Sequence, residues 1–135
     1  MRTAVFPGKF NSLAKIGAFV VQAAKEAGLD EKATYAVELA VDEACSNIIE
    51  HAYGGEGKGE ISCSCQITAN GLTIVLKDQG RPFKPDKVPS PNVKVPLNKL
   101  NPRGAGLYLI RNMMDDVQFK FSKDEGNVLT MSKNK

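Results

Sequence analysis

Glu43 and Asn47 stand four residues apart within Val37–Tyr53, a spacing that stacks one side chain above the other on a helix. A carboxylate and a carboxamide so arranged can orient a nucleophile and ligate a hard cation. Glu50 and His51 continue the polar row by another turn. A second feature is Asp78-Gln79-Gly80, where an acceptor follows a nearly apolar run. A carboxylate there can take a hydrogen bond from an exocyclic amine such as that of adenine, and Gly80 leaves room for a flat ring. The third is Arg103-Gly104-Ala105-Gly106-Leu107, glycines leading into a helix start. Unpaired amides and the helix dipole make such a start an anion site, and glycines admit a phosphate to the backbone. It is not a Walker loop, because no Gly-Lys-Ser/Thr follows, nor a dinucleotide fingerprint, because the third glycine is missing. Singly, each feature has a plainer reading: a solvated helix face, an aspartate starting a turn, a tight turn.

Periodicity says which elements must carry these residues. Residues 2–6 alternate and meet Pro7-Gly8, a short edge strand and a turn. Asn11 or Ser12 can cap a helix with Leu13, Ile16, Phe19, Val20 and Ala23 or Ala24 on its apolar stripe, ended by Gly28. Asp30 caps a second, central helix whose stripe runs through Val37, Ala40, Val41, Ala44, Ile48 and Ala52 to about Tyr53, where Gly54-Gly55 stops it. Residues 60–67 alternate as a half-buried strand, Asn70-Gly71 reads as a type I′ hairpin turn, and residues 72–77 return to place Asp78 at a strand tip. Six of the seven prolines fall between Gln79 and Arg103, which excludes a regular helix or central strand there. Gly104-Ala105-Gly106 then opens a helix with Leu107, Ile110, Met113 and Met114 inward, and residues 117–121 and 128–131 form a last hairpin. The expected fold is a single α/β (α+β) domain over residues 1–135. It is a two-layer sandwich with a mixed, mostly antiparallel sheet and helices on one face.

Composition bounds the rest. A chain of 135 residues, 42% hydrophobic and 24% charged, suits one soluble domain with a real core. No apolar run approaches the roughly 20 residues of a membrane span, and no leader pattern opens the sequence, so the expected setting is the cytoplasm, with no membrane partner. Three cysteines and one histidine lack a metal-finger spacing, and Cys45, Cys63 and Cys65 read as reduced core thiols. Residues 1–76 carry six Lys/Arg against nine Asp/Glu, residues 77–135 twelve against six. The excess lies in 81–103, where Arg81, Lys84, Lys87, Lys94, Lys99 and Arg103 face only Asp86. Such a loop suits a polyphosphate or an acidic surface. Nucleic acid is disfavoured, because Phe83 is the loop's only aromatic for stacking.

Together the three motifs are far more specific than apart. In order and spacing they resemble the N, G1 and G2 boxes of the Bergerat-fold ATPases, the superfamily of histidine kinases, gyrase B and mismatch-repair ATPases. Glu38-Leu39-Ala40-Val41-Asp42-Glu43-Ala44-Cys45-Ser46-Asn47 with His51-Ala52-Tyr53, then Asp78-Gln79-Gly80-Arg81-Pro82-Phe83 and Gly104-Ala105-Gly106-Leu107-Tyr108-Leu109-Ile110, are closest to the small bacterial anti-sigma factor serine-protein kinases. The resemblance implies that ATP and Mg²⁺ are the cofactors. Asn47 would ligate Mg²⁺, and Glu43 would be the general base, or at least the group orienting the attacking hydroxyl. Asp78 would hold the adenine amino group with Gly80 beside the base. Gly104 and Gly106 would let the backbone of 103–107 (Arg103, Ala105 and Leu107 included) reach the phosphates, with Arg103 a candidate phosphate contact. Residues 81–103 would be the ATP lid. It also implies two exclusive partners, a sigma factor and an anti-anti-sigma protein offering a serine, and a homodimer. His51, near the helix end, reads as a packing or capping residue. A nucleotide-gated binding module without kinase activity is the alternative; Glu43 argues against it, since a pure binder needs no carboxylate there. A histidine-kinase fragment is disfavoured, because no dimerisation helix precedes the domain and His51 lies within the ATP helix.

Overall fold

The structure is a computed structural model that describes residues 1–82 and 102–135, with the backbone alone at 102–105. In chain order the elements are β1 (Arg2–Pro7), α1 (Leu13–Glu26), α2 (Glu31–Asn47), β2 (Glu60–Ile67), β3 (Gly71–Asp78), α3 (Pro102–Met113), β4 (Asp116–Ser122) and β5 (Gly126–Asn134). The strands form one sheet in the order β1-β2-β3-β5-β4. Every pairing in it is antiparallel, so the expected mixture is absent among the described residues. Hairpins explain this for β2–β3 and β4–β5, and β5 completes it by running back between β3 and β4.

Alternation separates the two faces of the sheet. Ile61, Cys63, Cys65, Leu72, Ile74, Leu76, Leu129 and Met131 are buried under the helices. The other face carries small hydroxyls and valines, with Thr3 Oγ1 2.9 Å from Ser64 Oγ and Thr73 Oγ1 3.1 Å from Ser132 Oγ. α2 lies between α1 and α3 and touches both. Its stripe of Val37, Ala40, Val41, Ala44 and Cys45 is buried, as is that of α1, Ile16, Val20, Ala23 and Ala24. Cys45, Cys63 and Cys65 are all buried free thiols, and burial pushes the Cys45 thiol up, which leaves it inert.

The helix ends follow local chemistry. Asp30 caps α2, its carboxylate accepting from the Ala33 amide at 2.8 Å. α1 closes with Gly28 at φ 86°, the Leu29 amide donating to the Ala24 carbonyl and the Gly28 amide to that of Lys25, the paired bonds that a left-handed glycine permits. Three local expectations differ. Ser12 makes no side-chain cap, because a 3₁₀ turn over Phe10–Ser12 already leads into α1. The β2–β3 turn centres on Ala69-Asn70, between Thr68 and Gly71, whose backbones bond each other. It is not type I′, since neither Ala69 nor Asn70 has positive φ. Gly71 serves another need: a β-carbon there would strike the Lys133 carbonyl oxygen of β5.

The third difference concerns α2. The α-helix ends at Asn47, and Ile48–Ala52 continue as a π turn, with the Tyr53 amide donating to the Ile48 carbonyl at 2.9 Å. Wider turns of this kind are rare and gather at functional sites. The released carbonyls find a partner in Arg81, whose amide donates to Ala52 O and whose guanidinium donates to His51 O, each at 2.8 Å.

Candidate functional site

Elements from both layers converge on one cavity. α2 contributes Ala44 and Asn47, and the π turn Ile48 and Ala52; β3 contributes Asp78, α3 contributes Leu107 and Ile110, β4 contributes Phe119 and Lys120, and β5 contributes Asn127, Val128 and Leu129. The cavity encloses about 50 Å³ of water-accessible space, several times what one water needs. Its lining is mostly apolar with a few polar groups, the usual make-up of a small-molecule site. All three sequence motifs therefore line the same space.

On the sheet side, Asp78 is buried at the end of β3, 4% exposed. One oxygen, Oδ1, accepts from the Gly80 amide and from Asn127 Nδ2, each at 2.9 Å. Burial pushes this carboxyl up, and the two donors pull the other way. Gly80 is packed where no side chain fits: a β-carbon would lie 2.6–2.7 Å from the Ala52 carbonyl and β-carbon. That contact seats the β3 exit on the π turn. Tyr53 adds a further tie, donating to the Glu60 carbonyl at 2.5 Å and accepting from the Gln79 amide at 3.0 Å.

On the helix side, Glu43 and Asn47 are half-buried one turn apart on α2. Neither makes a side-chain hydrogen bond with another described residue. Burial, then Asp42 and Glu50, push the Glu43 carboxyl up, and His51 acts in the opposite sense. Glu50 and His51 thus sit close enough to bear on Glu43, although the π turn breaks the simple helical row. His51 packs at the helix end, as expected. Its Nε2 is buried without a hydrogen-bond partner among the described residues and lies 3.8 Å from the Glu50 carboxylate.

The glycine motif sits differently from its expected place. α3 begins at Pro102, a residue suited to a first helical position, so Arg103, Gly104 and Ala105 fall in the first turn and Gly106 beyond it. The Gly106 amide is therefore part of the helix ladder rather than one of the free amides at its start. What Gly106 supplies is space. A β-carbon there would collide with Glu43 Oε1 and stand 2.9 Å from Asn47 Nδ2. The side chain of Arg103, and the loop 81–103 from residue 83 to 101, lie outside the described residues. Leu107, Ile110 and Met114 are buried, as expected.

Asn127 is the site residue that motif reading overlooks. It is buried, faces Asp78 across the β3–β5 pairing, and also donates to the Arg81 carbonyl at 2.8 Å. Its local signal is a polar residue in the same alternation as the inward Leu129 and Met131 of β5.

Among the described residues no three His, Cys, Asp or Glu side chains are grouped to hold a metal. Mg²⁺ keeps most of its waters and takes one or two protein ligands beside substrate phosphates. Asn47, with a carboxamide not engaged elsewhere and an open neighbour in Gly106, fits that role. No helix of the described residues is long and apolar enough to cross a membrane.

Comparison with known proteins agrees with this geometry. A family model described as a histidine kinase-like ATPase domain matches residues 6–133. Serine-protein kinase RsbW of Bacillus cereus (strain AH820) is 38% identical over 101 residues, covering 72% of this chain and 61% of that protein. The Bacillus velezensis protein of the same name is 34% identical over 105 residues, covering 72% and 62%. The chain thus spans about three fifths of the length of these curated relatives. The histidine kinase domain from the Erythrobacter litoralis EL346 blue-light activated histidine kinase superposes with a TM-score of 0.57 at 14% identity, over 93% of this chain and 59% of that one. At that identity the likeness is one of fold.

Proposed function

This chain belongs to the histidine kinase-like ATPase domain family, and we propose that it is a Mg·ATP-dependent serine-protein kinase acting as an anti-sigma factor. It phosphorylates a serine of an anti-anti-sigma protein and, in the alternative partnership, sequesters a sigma factor. The observation that carries this reading is the single cavity lined by Asn47, Asp78 and Leu107, one residue from each motif. The names of the relatives, serine-protein kinases, supply the reaction class. A dimer and a cytoplasmic setting belong to the same reading.

In this proposal Asp78 accepts from the adenine amino group while the apolar lining takes the ring. Asn47 gives its carboxamide oxygen to Mg²⁺, and the ion when bound offsets charge on the phosphates. The first-turn amides of α3 offer hydrogen-bond donors to the same phosphates, and the positive charge that the sequence carries at Arg103 and over residues 81–103 would offset theirs. Gly106 keeps Glu43 and Asn47 near that helix without a side chain between them. Glu43 then takes the serine proton as the hydroxyl oxygen bonds to the γ-phosphorus and the bond to the departing ADP oxygen breaks. Its raised pKa suits this work, since a base is more effective as its pKa approaches the working pH. Positioning and charge neutralisation are what phosphoryl transfer chiefly needs.

Calorimetric titration with Mg·ATP tests the site. We expect saturable binding, lost in Asp78→Asn and no longer Mg-dependent in Asn47→Ala. A folded wild-type sample that takes up no nucleotide would overturn the reading and leave protein contacts alone to explain the chain.

A further inference from the structure

Four polar residues are buried among those described, and two of them, Asp78 and Asn127, are bonded to each other. Asn127 has two acceptors in front of it, the Asp78 carboxylate at 2.9 Å and the Arg81 carbonyl at 2.8 Å. An amide oxygen cannot donate, so this pair of acceptors fixes which way the carboxamide is turned. The same Asp78 oxygen receives the Gly80 amide. Oδ1 is thus held by two donors, and Oδ2 makes no hydrogen bond to another described residue.

We propose that Asn127 is a positioning residue that sets base specificity, holding Asp78 as a pure acceptor so that the site takes a 6-amino purine and refuses a 6-oxo one. The inference rests on the nucleotide-site reading above. An exocyclic amine supplies the hydrogen that Oδ2 lacks. A 6-oxo group brings a lone pair instead, and two acceptors face each other with no proton between them. A buried acceptor left unpaired in this way is costly, and sites built on such a bond discriminate strongly against analogues that cannot make it. Asn127 acts through Asp78 in two ways. Its donor favours the ionised carboxylate, and its second bond, to Arg81 O, anchors the loop that carries Gly80. The apolar remainder of the lining cannot tell the two bases apart, because their outlines are nearly the same.

ATP and ITP differ in this 6-substituent, so their ratio of dissociation constants is the readout. The wild type should prefer ATP by on the order of 100-fold or more. Asn127→Asp places a second carboxyl against the first. Two carboxyls so close share a proton, which gives the site a donor and should cut the ATP preference at least about tenfold. Asn127→Leu, which removes the donor, should cut it too. Asn127→Thr, whose hydroxyl can still donate to Oδ1, should keep the preference even where both affinities fall. A purely structural role would weaken both nucleotides equally and leave the ratio unchanged in every variant, which would overturn the inference; so would a wild type without preference. Asn127→Asp carries the test if Asn127→Leu does not fold. Absence of ATP binding in the wild type strikes the nucleotide-site reading itself, whereas a wild-type preference for ATP that stays untouched in every variant at position 127 strikes this inference alone.

Discussion

The two walls of the cavity are built on opposite principles. On the sheet wall Asp78 and Asn127 are bonded to each other, and behind them Gly80, Arg81 and Tyr53 tie the β3 exit to this pair or to the π turn, with Gly80 against Ala52 and no space left over. On the helix wall, Glu43 and Asn47 make no side-chain hydrogen bond among the described residues, and only the missing β-carbon of Gly106 separates them from α3. A rigid wall suits a flat ring that arrives in one orientation. An unengaged carboxylate and carboxamide suit groups that change partners in the course of a reaction. In the proposed function, recognition and chemistry are thus divided between the sheet and the helix.

Glu43→Gln gives the sharpest test of that division. Phosphoryl transfer should fall by about 10²–10⁴-fold, the usual worth of a general base, while the dissociation constant for Mg·ATP stays within a few-fold. Transfer at an undiminished rate, measured with labelled ATP and a serine-bearing partner, would place the chemistry elsewhere.

A matched pair of glycine substitutions compares the walls directly. Gly80→Ala drives a methyl into Ala52 backbone, which cannot yield, and should cost about 1–3 kcal/mol of stability as overpacking does. Gly106→Ala meets the ends of two side chains, which can swing away, and alanine favours a helix interior by roughly 0.5–1 kcal/mol. It should melt close to the wild type yet transfer phosphate poorly, because Glu43 and Asn47 are displaced. Denaturant titration beside transfer assays checks both, and equal stability losses in the two variants would erase the contrast.

The smallest effect is in pH. Glu43 has a folded-state pKa raised above its ordinary value by burial and by Asp42 and Glu50. The folded state therefore binds its proton more tightly than the unfolded state, and stability falls as pH rises from the ordinary value through the raised one. Glu43→Gln removes that loss, so it should melt slightly higher than the wild type near neutral pH. The advantage should vanish below the ordinary carboxylate range, where both states of the wild type are protonated. Melting curves at the two pH values decide it, and a variant equally or less stable near neutrality would contradict the burial argument.

Much of this was readable from the chain. The stripes of α1 and α2, the Asp30 cap, Gly28 and both hairpins depend on neighbours within a few residues, and Glu43, Asn47 and Asp78 belong to short motifs. What escaped depends on distant partners. The π turn cannot be seen in Ile48–Ala52, because it goes with bonds donated by Arg81, some thirty residues on. Gly106 resembles a phosphate-loop glycine until α2 is laid beside it. Asn127 means nothing until the β3–β5 register sets it opposite Asp78. Residues 83–101, with their scattered prolines, offer no period to read at all.

The place of β5 in the sheet also bears on how the molecule is made. Residues 126–134 do not extend the edge; they fill the gap between β3 and β4. During synthesis β1, β2 and β3 emerge long before this strand, so Ile74 and Leu76 must wait with one flank of β3 uncovered, an edge open to pairing with other chains. Asp78 waits with them, since its partner Asn127 arrives on the same late strand. The cavity that Asp78 lines therefore forms only once β5 is in place, and a nascent chain lacks the Asp78–Asn127 pair until the sheet is sealed.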